Sequence, residues 1–286
     1  MSKPTFILSA LALTCLAIYL FVTAPPPIED PDQVGSGPRI PVAEALTILN
    51  AENARVRSIY TRDIVGAGLK VGLKFDEDWK DDAVQAGPLP ALFLRETSLR
   101  LERRPVPLGL FLGSKYPIAS ANQFAGDQAT AFTKMESDGK PAYFYSKDTK
   151  RHTAMFADRA AVQACVTCHN EHPDSPKSDW ALHDIMGATT WTLPSDSVSH
   201  SQMLELIDAL RGSVAEAYGS YLNKAAQFPH PPAIGESWPA QGYALPTQEV
   251  FMARVKRDCD EGTLEALLAQ RQTSPSVSPE TAEARP

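Results

Sequence analysis

A chain of 286 residues with 43% hydrophobic content is long enough for one large domain or two small ones and apolar enough for a real core, which excludes a peptide scaffold and a disordered chain. A formal net charge of -7, with no run of lysine or arginine, supplies no long-range attraction for nucleic acid or for an anionic membrane surface. Nucleic acid is set aside as a partner.

The N-terminal stretch MSKPTFILSALALTCLAIYLFVTAPPP places Lys3 before a nearly unbroken apolar run from Phe6 to Val22. That is about the minimum length of a spanning helix, and the single flanking cation keeps the N-terminus in the cytoplasm. Residues 1–24 are therefore expected to be one anchor in the cytoplasmic (inner) membrane, with the soluble part on the periplasmic side. The alternative is a cleaved signal peptide, because VTA before Pro25 resembles a small-residue cleavage site. Proline directly after the cut and the length of the apolar run weigh against it. Cys15 follows Thr14 rather than Gly or Ala and precedes more apolar residues, so it reads as a membrane-buried thiol rather than a lipoprotein cysteine. No second apolar stretch of spanning length follows, so any cytoplasmic output is expected to come from another protein.

Residues 25–40 are rich in Pro, Gly and acid, which suits a semi-extended spacer. From Val42 the apolar positions Leu46, Ile48, Leu49, Val56, Ile59, Tyr60, Ile64 and Val65 recur mostly at three and four, predicting a long amphipathic helix whose end Gly66 and Gly68 weaken or bend. Further helices are predicted over 90–102 and 125–135. LGLFLG (108–113), PAYFYSKD (141–148), HTAMFAD (152–158) and MGATTWTLP (186–194) are short, aromatic or β-branched and bounded by Gly, Pro or Asp, as strands are, and SKDTKR turns the second into the third. A strongly amphipathic helix is predicted over 202–228 and a weaker one over 247–270, followed by a polar, Pro-rich end expected to be disordered. Hairpin strands flanked by long helices indicate an α+β domain with an antiparallel sheet, expected over 41–228, with 229–286 as a C-terminal extension.

The stretch ACVTCHNEHPDSPKSDW carries Cys165, Cys168 and His169 as C-x-x-C-H, the attachment signature of a c-type haem. On a helical turn two thiols three apart lie on one face and form thioethers to the two vinyl edges, and the adjacent histidine is directed at the iron. In this composition the string arises by chance about once in a thousand chains. A thioredoxin-like pair would sit at the start of a βαβ unit, whereas this one follows a hairpin. A zinc site would need two more ligands, with His172 and His183 the ones at hand. A disulfide between residues three apart closes too small a loop to stabilise anything.

ACVTCHNEHPDSPKSDWALHDIMGATTW, together with NAENARVRSIYTRDIVGAGLKVGLKFDEDW and YFYSKDTKRHTAMFAD, resembles a family of extracytoplasmic c-type haem domains with a PAS-like fold, known from cyanobacterial and proteobacterial proteins. The resemblance covers about residues 41–194 and is densest over 165–187. It implies one covalent haem on one face of a PAS-like sheet, with Cys165 and Cys168 as thioether sites and His169 as axial ligand. One described member takes a cysteine from before its C-x-x-C-H as second axial ligand. Here no cysteine stands between Cys15 and Cys165, which puts a distal thiolate in doubt.

Haem iron is held by His, Met, Cys or Tyr, and the choice sets its potential. Met155, Met186 and His183 are the distal candidates, each with an ordinary alternative as core methionine or exposed loop histidine. His172 precedes Pro173 and is expected to serve a propionate or the local structure, and His152, His200 and His230 are expected at the surface. Arg57, Lys177 and Trp180 are propionate candidates by residue type, against the default of a solvated face or core. Cys259 is open between a free thiol and an intermolecular disulfide.

Two functions fit these residues. One is an anchored monohaem c-type cytochrome that carries single electrons to a redox partner protein. The other is a haem-based redox or gas sensor that signals through a membrane-embedded transducer, with the long first helix or the helix over 202–228 as contact. An enzyme such as a peroxidase would need an acid/base group above an open iron position, and none can be picked out near the motif, so no enzymatic activity is expected.

Overall fold

The computed structural model describes residues 39–273; the expected membrane anchor, the spacer up to residue 38 and the C-terminal end lie outside the described residues. Among the described residues no helix is long and apolar enough to cross a membrane.

Helix α1 (Val42–Ile59) buries Leu46, Leu49, Val56 and Ile59 at the predicted spacing. Its axis continues as a π-helical turn over Tyr60–Gly66 and a last α-turn over Ala67–Lys70, so the glycines fall where the helix changes form. Helix α2 (Pro90–Leu101) begins on a proline, whose missing N–H costs nothing at a first helical position. Strand β1 (Gly109–Gly113) follows, then α3 (Gly126–Asp138), which ends on Gly139 at φ 67°, the left-handed geometry that glycine takes without strain. Strands β2 (Ala142–Ser146) and β3 (Arg151–Arg159) form the hairpin expected from SKDTKR. Helix α4 (Gln163–Glu171) carries the C-x-x-C-H and leads to β4 (Ile185–Leu193). Helix α5 (His200–Ala225) starts with a capping box between Ser199 and Gln202, and α6 (Gln248–Thr273) ends the described chain.

The four strands form one antiparallel sheet in the order β1-β4-β3-β2. The chain is thus a mixed helix-and-sheet protein, and the expected α+β class is borne out at that level. Strand alternation divides the sheet into two faces. Ala154, Trp191 and Leu193 look into the main core with α1, α2, α5 and α6, where the Trp191 indole donates to Asn50 Oδ1 at 3.2 Å. Met155 and Ala188 look the other way, onto Phe124, Phe132 and Met135 beneath α3. Each large apolar side chain buried here contributes roughly 1.5–3 kcal/mol.

The helix foreseen as a weak tail is part of this core. Phe251, Val255 and Cys259, four apart on α6, are all buried, and α6 packs along α1. Its position is fixed by a buried carboxylate: Glu52 on α1 accepts from Arg211 Nε of α5 at 2.5 Å and from the Thr263 hydroxyl of α6 at 2.6 Å. Cys259 is fully buried, with Sγ 3.9 Å from the Glu52 carbonyl oxygen, so it is a packing thiol and not the exposed group an intermolecular disulfide needs.

Candidate functional site

Strand β3 ends in a bulge at Asp158/Arg159, and the chain leaves the sheet there to build α4. Ala160 closes this exit: its N–H donates to Asp184 and its carbonyl accepts from His183, both at 3.0 Å, so the two ends of the 160–184 excursion are tied together. On α4, Val166 points into a small apolar cluster with Ala160 and Trp180, against which Cys165, Met186 and Tyr116 pack. Cys165 is half-buried and Cys168 exposed, and both are free thiols. Burial, then the nearby Glu77, Cys165 and Glu171, push the Cys168 thiol above its ordinary range, which keeps it protonated at neutral pH.

His169 is half-buried, and its Nδ1 is buried without a hydrogen-bond partner. Burial, then His172, depress its pKa, while Asp158 pulls weakly the other way, so the imidazole is neutral at pH 7. That Asp158 is itself held by Arg57 of α1, whose Nη2 reaches both carboxylate oxygens at 3.2 and 2.9 Å while its Nη1 reaches the Thr189 hydroxyl at 3.4 Å. The arrangement therefore offers two free thiols on one helical face and one neutral imidazole whose Nδ1 has no hydrogen-bond partner. Among the described residues no three His, Cys, Asp or Glu side chains are grouped to hold a metal ion by themselves.

The far end of α4 is pinned twice. Asn170, directly after His169, uses its side-chain amide as a strand would use its backbone: Nδ2 donates to the Trp180 carbonyl at 3.0 Å and Oδ1 accepts from the Trp180 N–H at 2.8 Å. His172 accepts at Nδ1 from the Asp174 N–H at 3.1 Å, so its proton sits on Nε2, which donates to Glu77 at 3.1 and 3.2 Å. Both nitrogens of His172 are thereby engaged. Neither Asn170 nor Glu77 had a sequence signal, because their partners lie 10 and 95 residues away.

The other candidates are scattered. Met186 joins Cys165 in one apolar cluster, whereas Met155 is fully buried on the α3 face of the sheet. His183 is exposed, in a turn at φ 73°. Trp180 is buried, with Tyr116 edge-on at 6.1 Å and the Lys177 ammonium 4.4 Å above its ring; Lys177 also pairs with Asp179. Of the propionate candidates, Arg57 already holds Asp158. A cleft of about 720 Å³ lies elsewhere, between residues 71–86 and 221–244, and takes no lining from α4.

Residues 52–194 match the family model Tll0287-like. The chain belongs to the Tll0287-like family. The match spans half of the 286 residues, from within α1 to the residue after β4, and so contains the sheet and the whole of α4. No curated protein and no solved structure matches the chain. Helices α5 and α6 lie beyond the Tll0287-like region.

Proposed function

We propose that this protein binds one covalent haem c and works as a membrane-anchored, periplasmic single-electron carrier. Cys165 and Cys168 are the thioether sites and His169 the axial ligand. The observation that carries this reading is the state of His169. Nearly all buried polar atoms in folded proteins have partners, and an orphaned one costs about 1–3 kcal/mol. This one belongs to a neutral imidazole directly after two free thiols on the same helix, so the donor set fits the group. Once attached, the haem supplies a one-electron iron couple whose potential follows its axial ligands.

The chain's own residues do the rest. The α4 turn holds both thiols on one face, and desolvation keeps Cys168 protonated, hence slow to oxidise before attachment. Desolvation also keeps the His169 lone pair free of a proton. Tyr116, Trp180 and Val166 form the apolar backing that excludes water behind Cys165. Of the distal candidates, Met186 is favoured over Met155 because it shares that cluster, while His172, with both its nitrogens engaged, keeps a local structural role. The antiparallel sheet, with the motif helix inserted between its two central strands, supports the PAS-like reading.

The sensor reading has one observation in its favour. Glu77 belongs to the turn that leads into α2 and is bonded to the C-terminal end of the motif helix, so a change at the iron has a route into the helical layer. Expression in cells competent for c-type maturation decides the matter. A haem spectrum that survives denaturation and extraction is expected, and its absence removes the proposal. A six-coordinate, low-spin spectrum indifferent to carbon monoxide supports the carrier, whereas ready carbon monoxide binding transfers the case to the sensor.

A further inference from the structure

The helical layer contains one local arrangement twice. Tyr60 donates its hydroxyl hydrogen to the carbonyl of Pro88, 28 residues on, at 2.7 Å, and Tyr218 donates to the carbonyl of Pro246, also 28 residues on, at 3.0 Å. Tyr60 stacks on Phe93 with ring centres 3.9 Å apart, and Tyr218 stacks on Phe251 at 4.2 Å. Each phenylalanine is the fourth residue of its helix, α2 or α6. Each of these helices follows a short parallel strand pair, Phe75–Asp76 with Gly87–Pro88 in one case and Ile234–Gly235 with Leu245–Pro246 in the other. Within each turn stands Glu-x-Trp, as Glu77 and Trp79 or as Glu236 and Trp238. An offset of 158 residues carries Tyr60, Pro88 and Phe93 onto Tyr218, Pro246 and Phe251, and carries the buried Ile48, Leu49 and Val56 of α1 onto the buried Leu206, Ile207 and Val214 of α5.

Two contacts reveal how the copies are related. Ile40 pairs with Val198, its own counterpart at this offset, in an antiparallel bridge. Phe93 meets Phe251, again its own counterpart, edge to face at 6.3 Å. Contact between a residue and its equivalent is what an isologous, twofold interface requires. The helices obey the same exchange, since α2 packs on α5 while α6 packs on α1.

We infer that residues 199–273 are a second copy of the helix–turn–helix unit formed by residues 41–101, and that the inward faces of the two units are an isologous association surface occupied in cis. The partner that α1 and α2 fit is another unit of their own kind, and the chain supplies it. The second unit lies wholly outside the Tll0287-like match, which ends at residue 194. The copies differ where their registry is fixed: Glu52 has Leu210 as its counterpart, and its carboxylate is taken by Arg211 of the other unit. An electron-transfer partner or a transducer must therefore dock elsewhere than on the inward faces of α1 and α5.

The test uses the full chain with a protease site inserted after the exposed Pro194, in the connection between the units. After cutting, sedimentation at micromolar concentration is expected to find the two pieces as one 1:1 particle with the mass of the uncut chain. Separation of the pieces, folded or unfolded, overturns the inference. In the uncut chain, Phe93→Ala and Phe251→Ala are each expected to lower Tm by roughly 5–15 °C. The double variant should lose clearly less than the sum, because the two rings meet each other. Strictly additive losses would overturn the twofold pairing.

Discussion

Buried polar groups are treated differently in the helical layer and at the end of the sheet that carries α4. In the layer, the Tyr60 and Tyr218 hydroxyls end on proline carbonyls, and the buried Glu52 carboxylate is held from two helices. Around α4, His169 Nδ1 and the Trp180 indole nitrogen are buried without partners, two thiols stand free, and the nearby Val162 and Leu182 are exposed. The same chain thus ties its buried tyrosine hydroxyls and the Glu52 carboxylate in one region, and in the other leaves an imidazole and an indole nitrogen without partners beside two free thiols. Under the proposed reading, a bound group rather than the polypeptide would supply the missing contacts at the α4 end.

The largest expected effect breaks the comparison at the α4 end. Cys165→Ala or Cys168→Ala should weaken covalent haem retention, and the double variant should abolish it, as judged by the spectrum after denaturation and extraction. The haem-free Tm should shift by no more than about 2 °C, because neither thiol is part of the main core. A collapse of the fold in the double variant would mean that α4 is a structural element and not an attachment platform.

The next effect breaks the helical layer instead. Arg211→Ala leaves the Glu52 carboxylate buried with only Thr263, and removing one partner of a buried ion pair costs about 3–5 kcal/mol. Tm should fall by roughly 10 °C in thermal denaturation, while haem content per folded molecule stays unchanged. Loss of haem in proportion to stability would contradict the separation of the two regions.

How far the sequence foretold these regions follows from the distance over which each feature is encoded. The motif, the amphipathic faces of α1 and α5 and the β2–β3 hairpin are local patterns, and each element lies within a few residues of its expected bounds. Met155 and Met186 could not be told apart, because which face a strand residue takes depends on pairing with β4 and on the bulge at Asp158/Arg159. The sequence shows α6 only as a weak helix because its stripe of Phe251, Val255 and Cys259 is narrow and acquires meaning only against α1. Engagement of both His172 nitrogens depends on Glu77, which is brought in by the turn before α2. The repeated Glu-x-Trp was present in the sequence, but only the paired Tyr–Pro bonds give it significance.

A smaller effect tests the pinning of α4. Asn170→Ala removes both side-chain bonds to the Trp180 backbone, a part-buried pair worth about 1–2 kcal/mol together. The segment 173–179 should become more sensitive to limited proteolysis, with little change in the main core. Unchanged cleavage would show that Tyr116 and Lys177 suffice to hold Trp180 in place.

The smallest effect sharpens the contrast between the cysteines. In the haem-free native protein iodoacetamide should modify the exposed Cys168, slowly because its raised pKa leaves little thiolate, and leave the buried Cys259 untouched, as mass spectrometry would show. Burial, then Glu52, push the Cys259 thiol up to about 12, far above the roughly 8.5 of an unfolded chain. Below pH 8.5 both states keep the proton, and this group adds no pH dependence. Above it the unfolded chain loses the proton first, so stability falls as pH rises, by about 1 kcal/mol at pH 9.5, and the loss ends only near pH 12. The buried tyrosines, also shifted upward, add a loss of the same sign only above their ordinary pKa of about 10. Cys168 titrates identically in the wild type and in Cys259→Ala, so it cancels from their difference. The wild type should therefore lose stability more steeply than Cys259→Ala between pH 8.5 and 9.5 in denaturant titrations. Parallel curves would mean that the thiol reaches water in the native state, and that α6 is not closed against α1.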